Sequence, residues 1–282
     1  RYCISSCPYK KVYYNWTSGK MEKCILCYPR IESGLPPACF HSCVGKIRSF
    51  GVIFYDMDRI KEAALANDEN LVEEQRKVIL DPFDPKIIEA AKKEGISDDW
   101  IDAAQRSPIY KLVKKWELAL PLHPEFRTMP SLFYIPPLAP IITSAGKHSP
   151  STQDIFDMEK PSAGPLLSLD ELDKFRVPLK YLANMFGAGN EEVVKKSLLR
   201  QLAIRHYQRS IRVDKKPNVK ILDRVGLSEK DAQEIVRALS LAFLNERFVV
   251  PTKKSEKVNV DPYTERGFAG FDHMTPWSPM KR

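Results

Sequence analysis

The chain has 282 residues, 32.3 kDa, 43% hydrophobic and 28% charged side chains, and a net charge of +8. This composition is that of an ordinary folded domain, and no apolar run reaches the ~18 residues of a spanning helix, so collagen, a disordered tail and a membrane bundle are excluded. The positive charge is local: residues 1–60 carry nine Lys/Arg against four Asp/Glu, and the rest of the chain is nearly balanced.

In chain order, residues 1–55 hold every cysteine and end in a strand-like run, Val52-Ile53-Phe54-Tyr55. Glycine is scarce, at 12, and proline common, at 22, which predicts extended straps and capped helices rather than tight hairpins. Three short helices follow. Asp84-Pro85 opens the first and Gly95 closes it; Ser97 caps the second; Ser107-Pro108 opens the third, whose stripe Ile109, Leu112, Val113 and Trp116 runs toward Pro121. Residues 121–140 contain six prolines, which leave no room for a helix or a central strand. The interleaved apolar residues, such as Phe126, Leu132 and Phe133, predict an extended strap laid on its own domain or on a partner. Residues 141–165 read as an exposed loop. A helical unit follows: Ser168 with Glu171 makes a capping box, a second helix spans about Glu191 to Gln208, and Ser228 with Asp231 begins a third with the stripe Ile235, Leu239, Ala242 and Phe243. Residues 253–282 read as an irregular tail.

Cys3, Cys7, Cys24, Cys27, Cys39 and Cys43 fall within 41 residues, and none follows. A chain this long can bury a core without disulfide staples, so the cluster points to metal. The spacings are Cys3-x3-Cys7-Pro8 and Cys24-x2-Cys27-x11-Cys39-x3-Cys43. Thiolates suit iron–sulfur clusters or zinc. The short C-x2-C loop lets two sulfurs grip neighbouring corners of one cluster, and a further Cys followed by Pro carries the chain to another cluster. Cys7-Pro8 fits that departure; Cys43-Val44 lacks the proline. By interleaving, Cys24, Cys27 and Cys39 share one cluster, while Cys43, Cys7 and Cys3 each serve others. No cluster is completed by these six alone. With an opening Arg1-Tyr2-Cys3 in place of methionine, this predicts cysteine-rich sequence upstream. Lys10, Lys11, Lys20, Lys23 and Arg30 either offset the charge of anionic clusters or form a solvated basic face. The competing reading is a zinc-stabilised module that binds nucleic acid through its basic segment.

Several features are set apart from this site. His41 tunes a cluster or merely packs; His206 is structural; His123 bonds the backbone of the strap; Trp16 packs around a cluster. Gly187-Ala188-Gly189 is not a phosphate loop, and no H-E-x-x-H occurs. The sequon Asn15-Trp16-Thr17 is coincidental.

Cys3 to Lys11, Glu22 to Glu32 and Cys39 to Gly45 resemble the iron–sulfur β subunit of respiratory nitrate reductases and nitrite oxidoreductases, within the molybdenum DMSO-reductase-type complexes. Ala119 to Thr128, Tyr134 to Leu138, Arg176 to Asn184, Arg205-His206-Tyr207 and Arg247 to Pro251 continue the likeness. The resemblance implies an α+β fold. Residues 1–60 would be the C-terminal part of a ferredoxin-like iron–sulfur domain whose N-terminal half is absent. Residues 61–120 would be a helical connector, 121–165 the proline-rich strap and loop, 166–252 a small helical C-terminal domain, and 253–282 the tail. It implies a non-catalytic electron-transfer subunit with about three 4Fe-4S clusters and one further 3Fe-4S or 4Fe-4S cluster. Cys24, Cys27 and Cys39 would serve the second cluster from the catalytic side, Cys43 the first, Cys7 the third and Cys3 the fourth, with upstream sequence supplying the other ligands. The implied partners are a molybdenum-cofactor α subunit and a haem b-type γ subunit or other carrier, with no nucleic acid. The implied location is peripheral to a membrane, on the cytoplasmic face or in the periplasm or an equivalent compartment.

Overall fold

The computed structural model describes residues 2–9, 11–32, 35–138, 179–241 and 244–249. The expectations for residues 141–165, the Ser168 capping box, Arg176, Phe243 and the tail lie outside them. Contacts divide the chain at Val44 and Gly45.

The unit before that division contains α1 (Tyr2–Ser6), β1 (Val12–Asn15), β2 (Lys20–Lys23), α2 (Tyr28–Glu32) and α3 (Ala38–His41). β1 and β2 form an antiparallel hairpin with Asn15 opposite Lys20. Scarce glycine therefore does not prevent a hairpin. Its loop needs one, Gly19 at φ +69°, whose N–H donates to the Asn15 carbonyl at 2.9 Å. The Asn15 side chain does the rest. It accepts from the Thr17 N–H at 3.0 Å and donates to Glu22 at 2.9 Å, and the sequon asparagine is thus engaged in the turn.

The Gly45–Val249 unit is built on a four-stranded sheet, ordered β4 (Leu120–Pro121), β5 (Leu132–Tyr134), β3 (Arg48–Gly51), β6 (Phe248–Val249). β5 pairs antiparallel with both neighbours, and β6 joins β3 in parallel. The strand after the cysteines thus lies at Arg48–Gly51, earlier than Val52–Tyr55; of that run, only Tyr55 makes an isolated bridge, to Ile79. The prolines do not forbid a central strand either. β5 occupies the proline-free run between Pro130 and Pro136, and Pro121 sits at the sheet edge, where its missing N–H costs nothing. Residues 120–138 pack within their own unit. Leu120, Phe133, Ile135 and Leu138 are buried. Gln201 donates to the Pro136 carbonyl at 3.1 Å, Ser197 to Leu118 at 2.7 Å, and the His123 N–H to Met185 at 2.7 Å. The His123 ring bonds the Glu125 carboxylate at 2.8 Å, not the backbone.

Helices surround the sheet. α4 (Ile60–Leu65) and α5 (Leu71–Val78) fall in the stretch expected as a helical connector, but the sequence reading did not mark them individually. Neither start carries a side-chain cap, and the buried face of α5 includes Gln75 and Arg76, which breaks the apolar periodicity. α6 (Pro85–Lys93) opens on Asp84, whose side chain accepts from the Lys86 N–H at 2.9 Å, and closes at Gly95, φ +82°. α7 is Asp98–Arg106; Ser97 precedes it without a side-chain capping bond. α8 (Pro108–Tyr110), capped by Ser107, widens into a π-helical turn over Lys111–Lys115. It stops well before Pro121 because Glu117 turns left-handed at φ +48°. The carboxylate of Glu117 gathers Lys196 at 2.6 Å and Arg200 at 2.7 Å. The stripe Ile109, Leu112, Val113 and Trp116 is fully buried and packs with Phe133, Tyr207 and Ile235.

α9 (Leu179–Phe186) and α10 (Glu191–Arg212) form the second core with Leu120 and Leu138. α10 runs one turn beyond Gln208, and Asn190 caps it by accepting from the Glu192 N–H at 2.9 Å. α11 (Lys220–Asp223) leads to α12 (Glu229–Val236), which Ser228 caps through the Asp231 N–H. A π-helical turn at Arg237–Leu241 and α13 (Leu244–Arg247) return the chain to β6, where Phe248 stacks on Phe50 at 5.6 Å. No described helix is long and apolar enough to cross a membrane.

Candidate metal centre

Cys3 and Cys39 lie on the short helices α1 and α3, Cys7 and Cys43 just past the ends of those helices, and Cys24 and Cys27 in one tight loop. Cys3 is exposed on α1, and Cys7 is half-buried one residue past its end. Pro8 stops α1 there, because a proline disfavours helical backbone in the residue before it.

β2 delivers Lys23 directly to Cys24. The chain then turns sharply. Leu26 and Cys27 both adopt left-handed backbone, at φ +57° and +51°, a conformation that disfavours residues with a side chain. The turn brings the Leu26 N–H to 3.4 Å from the Cys24 sulfur. An N–H aimed at sulfur stabilises thiolate charge and tunes a bound cluster. The Cys27 carbonyl accepts from the Arg30 and Ile31 N–H groups and starts α2. Cys24 is exposed and Cys27 half-buried.

Pro37 precedes α3, where Cys39 is half-buried, and Cys43 follows its end. Phe40, between them, is fully buried and anchors the helix. Arg30 Nε donates to the Pro36 carbonyl at 2.8 Å, which ties α2 to the start of α3.

None of the six forms a disulfide. No group of three or more Cys, His, Asp or Glu converges to hold one metal ion among the described residues, and Cys24, Cys27 and Cys39 do not do so either. A 4Fe-4S cubane binds each thiolate at a separate iron. The donor chemistry here, six thiols outside any disulfide with the Leu26 N–H on the Cys24 sulfur, fits iron–sulfur ligation.

Trp16 is 76% exposed at the hairpin tip, edge-on to Tyr14 at 4.8 Å. Lys11, Lys20 and Lys23 are exposed, Arg30 is half-buried, and Lys10 is outside the described residues. His41 is exposed, and His206 is half-buried on α10. The Leu26 N–H had no signal in the sequence, since a left-handed leucine has no signature.

Comparison with known proteins agrees with this donor set. A family model described as "4Fe-4S dicluster domain" matches residues 1–53, and one described as "Respiratory nitrate reductase beta C-terminal" matches residues 138–229. The chain is 49% identical to the "Respiratory nitrate reductase 2 beta chain" of Escherichia coli (strain K12), over 96% of this chain and 50% of that one. It is 44% identical to the "Nitrate reductase beta chain" of Bacillus subtilis (strain 168), over 96% and 53%. With the "Respiratory nitrate reductase beta chain" of a Bradyrhizobium species the identity is 38%, over 92% of this chain and 71% of the relative. The chain belongs to the respiratory nitrate reductase beta chain family. It spans about half the length of the Escherichia coli and Bacillus subtilis relatives. Within this beta chain, the segment that matches the dicluster model holds all six cysteines.

Proposed function

We propose that the chain is an electron-transfer segment in which Cys3, Cys7, Cys24, Cys27, Cys39 and Cys43 hold iron–sulfur clusters shared with further cysteines outside these residues. One observation carries the reading: every cysteine lies outside any disulfide and inside the region that matches a 4Fe-4S dicluster domain. Cys24, Cys27 and Cys39 serve one cluster, and Cys43, Cys7 and Cys3 serve its neighbours. The bound clusters supply one-electron transfer with little reorganisation.

The protein's part is to hold and tune them. The thiolates set position. The Leu26 N–H stabilises charge on the Cys24 sulfur. Lys11, Lys20 and Lys23 offset the negative charge of the clusters. About three 4Fe-4S clusters and one 3Fe-4S or 4Fe-4S cluster would form the wire. It runs between a molybdenum-cofactor subunit that interconverts nitrate and nitrite and a haem b-bearing subunit or another carrier, in a complex peripheral to the membrane on its cytoplasmic face. Names of the relatives as beta chains of nitrate reductases support this reading. Nucleic acid has no role in it.

Replacing Cys24 or Cys27 by Ser tests the assignment. Each variant is expected to lose a cluster signal and electron flow from the physiological donor, while the catalytic subunit keeps its activity with an artificial donor. Unchanged flow from the physiological donor would remove these two residues from the wire.

A further inference from the structure

A groove of about 480 Å³ opens in the Gly45–Val249 unit. One wall is a face of α10. Gln201, Arg205, Gln208 and Arg212 recur there at steps of four, three and four residues, so they form a single stripe. Lys46 stands on another wall and donates to the Ser240 carbonyl at 3.1 Å. The floor is apolar, formed by side chains such as Ile204 and Leu138. Among the described residues, no aspartate or glutamate lines the groove.

That charge balance is unusual for this unit. Lys111 is paired with Glu234, Lys115 with Asp231, Arg200 with Glu117 and Arg237 with Glu246. Arg205 and Arg212 have no acidic partner among the described residues. An arginine fork is shaped for carboxylate or phosphate, and two such forks above an apolar floor form a recognition surface for anionic, partly apolar chain. The two residues are seven positions apart, about 10 Å along the helix. That separation lets each fork take its own anionic group. It matches two carboxylates on one side of an extended segment, which in polyproline geometry repeat about every 9 Å.

We propose that this groove receives an extended acidic segment of a partner subunit, with two carboxylates on Arg205 and Arg212 and an apolar side chain between them on the floor. The proposal rests on the reading of this chain as one subunit of a larger electron-transfer complex. Arg205 and Arg212 then set the strength and the salt dependence of that contact.

The test places the photo-crosslinker p-benzoylphenylalanine at Gln208 in the purified complex and identifies the captured peptide. The expected result is a partner-subunit peptide with two acidic residues flanking an apolar one. Its yield should fall as sodium chloride is raised. It should fall on the order of tenfold in Arg205→Gln/Arg212→Gln and in the charge-reversed pair Arg205→Glu/Arg212→Glu, and hold in Lys230→Glu. Iron content and EPR signals of the arginine variants should match the wild type. Capture of phospholipid, of this chain itself or of a segment without acidic residues would overturn the proposal, as would no capture or a yield indifferent to salt and charge. Loss of iron–sulfur signals with capture intact would instead overturn the electron-transfer reading and leave the groove.

Discussion

Asp231 shows how a single side chain fixes a junction between elements. Its carboxylate accepts from the indole N–H of buried Trp116 at 3.0 Å, from Lys115 at 2.7 Å and from Ser228 at 2.7 Å. Burial opposes its ionisation, but these three donors outweigh that and hold the carboxyl well below the usual range. The sign follows from the depressed value. The contribution is present above the unfolded carboxyl value, about 3.9, and is lost as pH falls toward the folded one. Asp231→Ala should therefore cost about 2–3 kcal/mol at neutral pH, because it strands the buried indole donor of Trp116 and removes the acceptor for Lys115 and the Ser228 hydroxyl. It should also reduce the loss of stability below about pH 4. Urea unfolding at pH 7 and pH 3 measures both; an equal cost at the two values would contradict the linkage. At the cysteines the residue scale is less legible. Identity and spacing are in the sequence, but the left-handed pair Leu26 and Cys27 and the N–H on the Cys24 sulfur emerge only from backbone geometry.

At the scale of elements, β6 joins the sheet through a close approach at Gly51. A Cβ there would collide with the Ser107 side chain and stand 3.3 Å from the Val249 carbonyl oxygen. Ser107 is buried and caps α8, so it cannot move away cheaply. Gly51→Ala should push β6 off β3 at a cost of about 1–3 kcal/mol. A change under about 0.5 kcal/mol in urea unfolding would show that the junction is looser than drawn. Elements with side-chain caps were legible in advance: Asp84 for α6, Ser107 for α8 and Ser228 for α12. α7 was legible too, although Ser97 makes no side-chain capping bond; the bounds of α4 and α5 were not. α5 hides its periodicity behind buried Gln75 and Arg76, and the hairpin depends on Asn15 rather than on a glycine pair. β5 was lost from view because a proline count over 20 residues hides a five-residue run free of proline, Ser131 to Ile135, that holds this three-residue strand.

For the whole molecule, the division at Val44 and Gly45 separates two kinds of construction. The cysteine unit has short elements around thiols that are half-buried or exposed. The Gly45–Val249 unit has two apolar cores and a capped helical frame. Six thiols fall short of the eight that two 4Fe-4S clusters need, so the proposed clusters draw further ligands from outside these residues. The most direct test is iron, zinc and labile-sulfide analysis with low-temperature EPR on the complex purified without oxygen. The account predicts about 15 or 16 iron atoms with matching sulfide per copy of the subunit, and several interacting signals on reduction. Zinc without labile sulfide would contradict it.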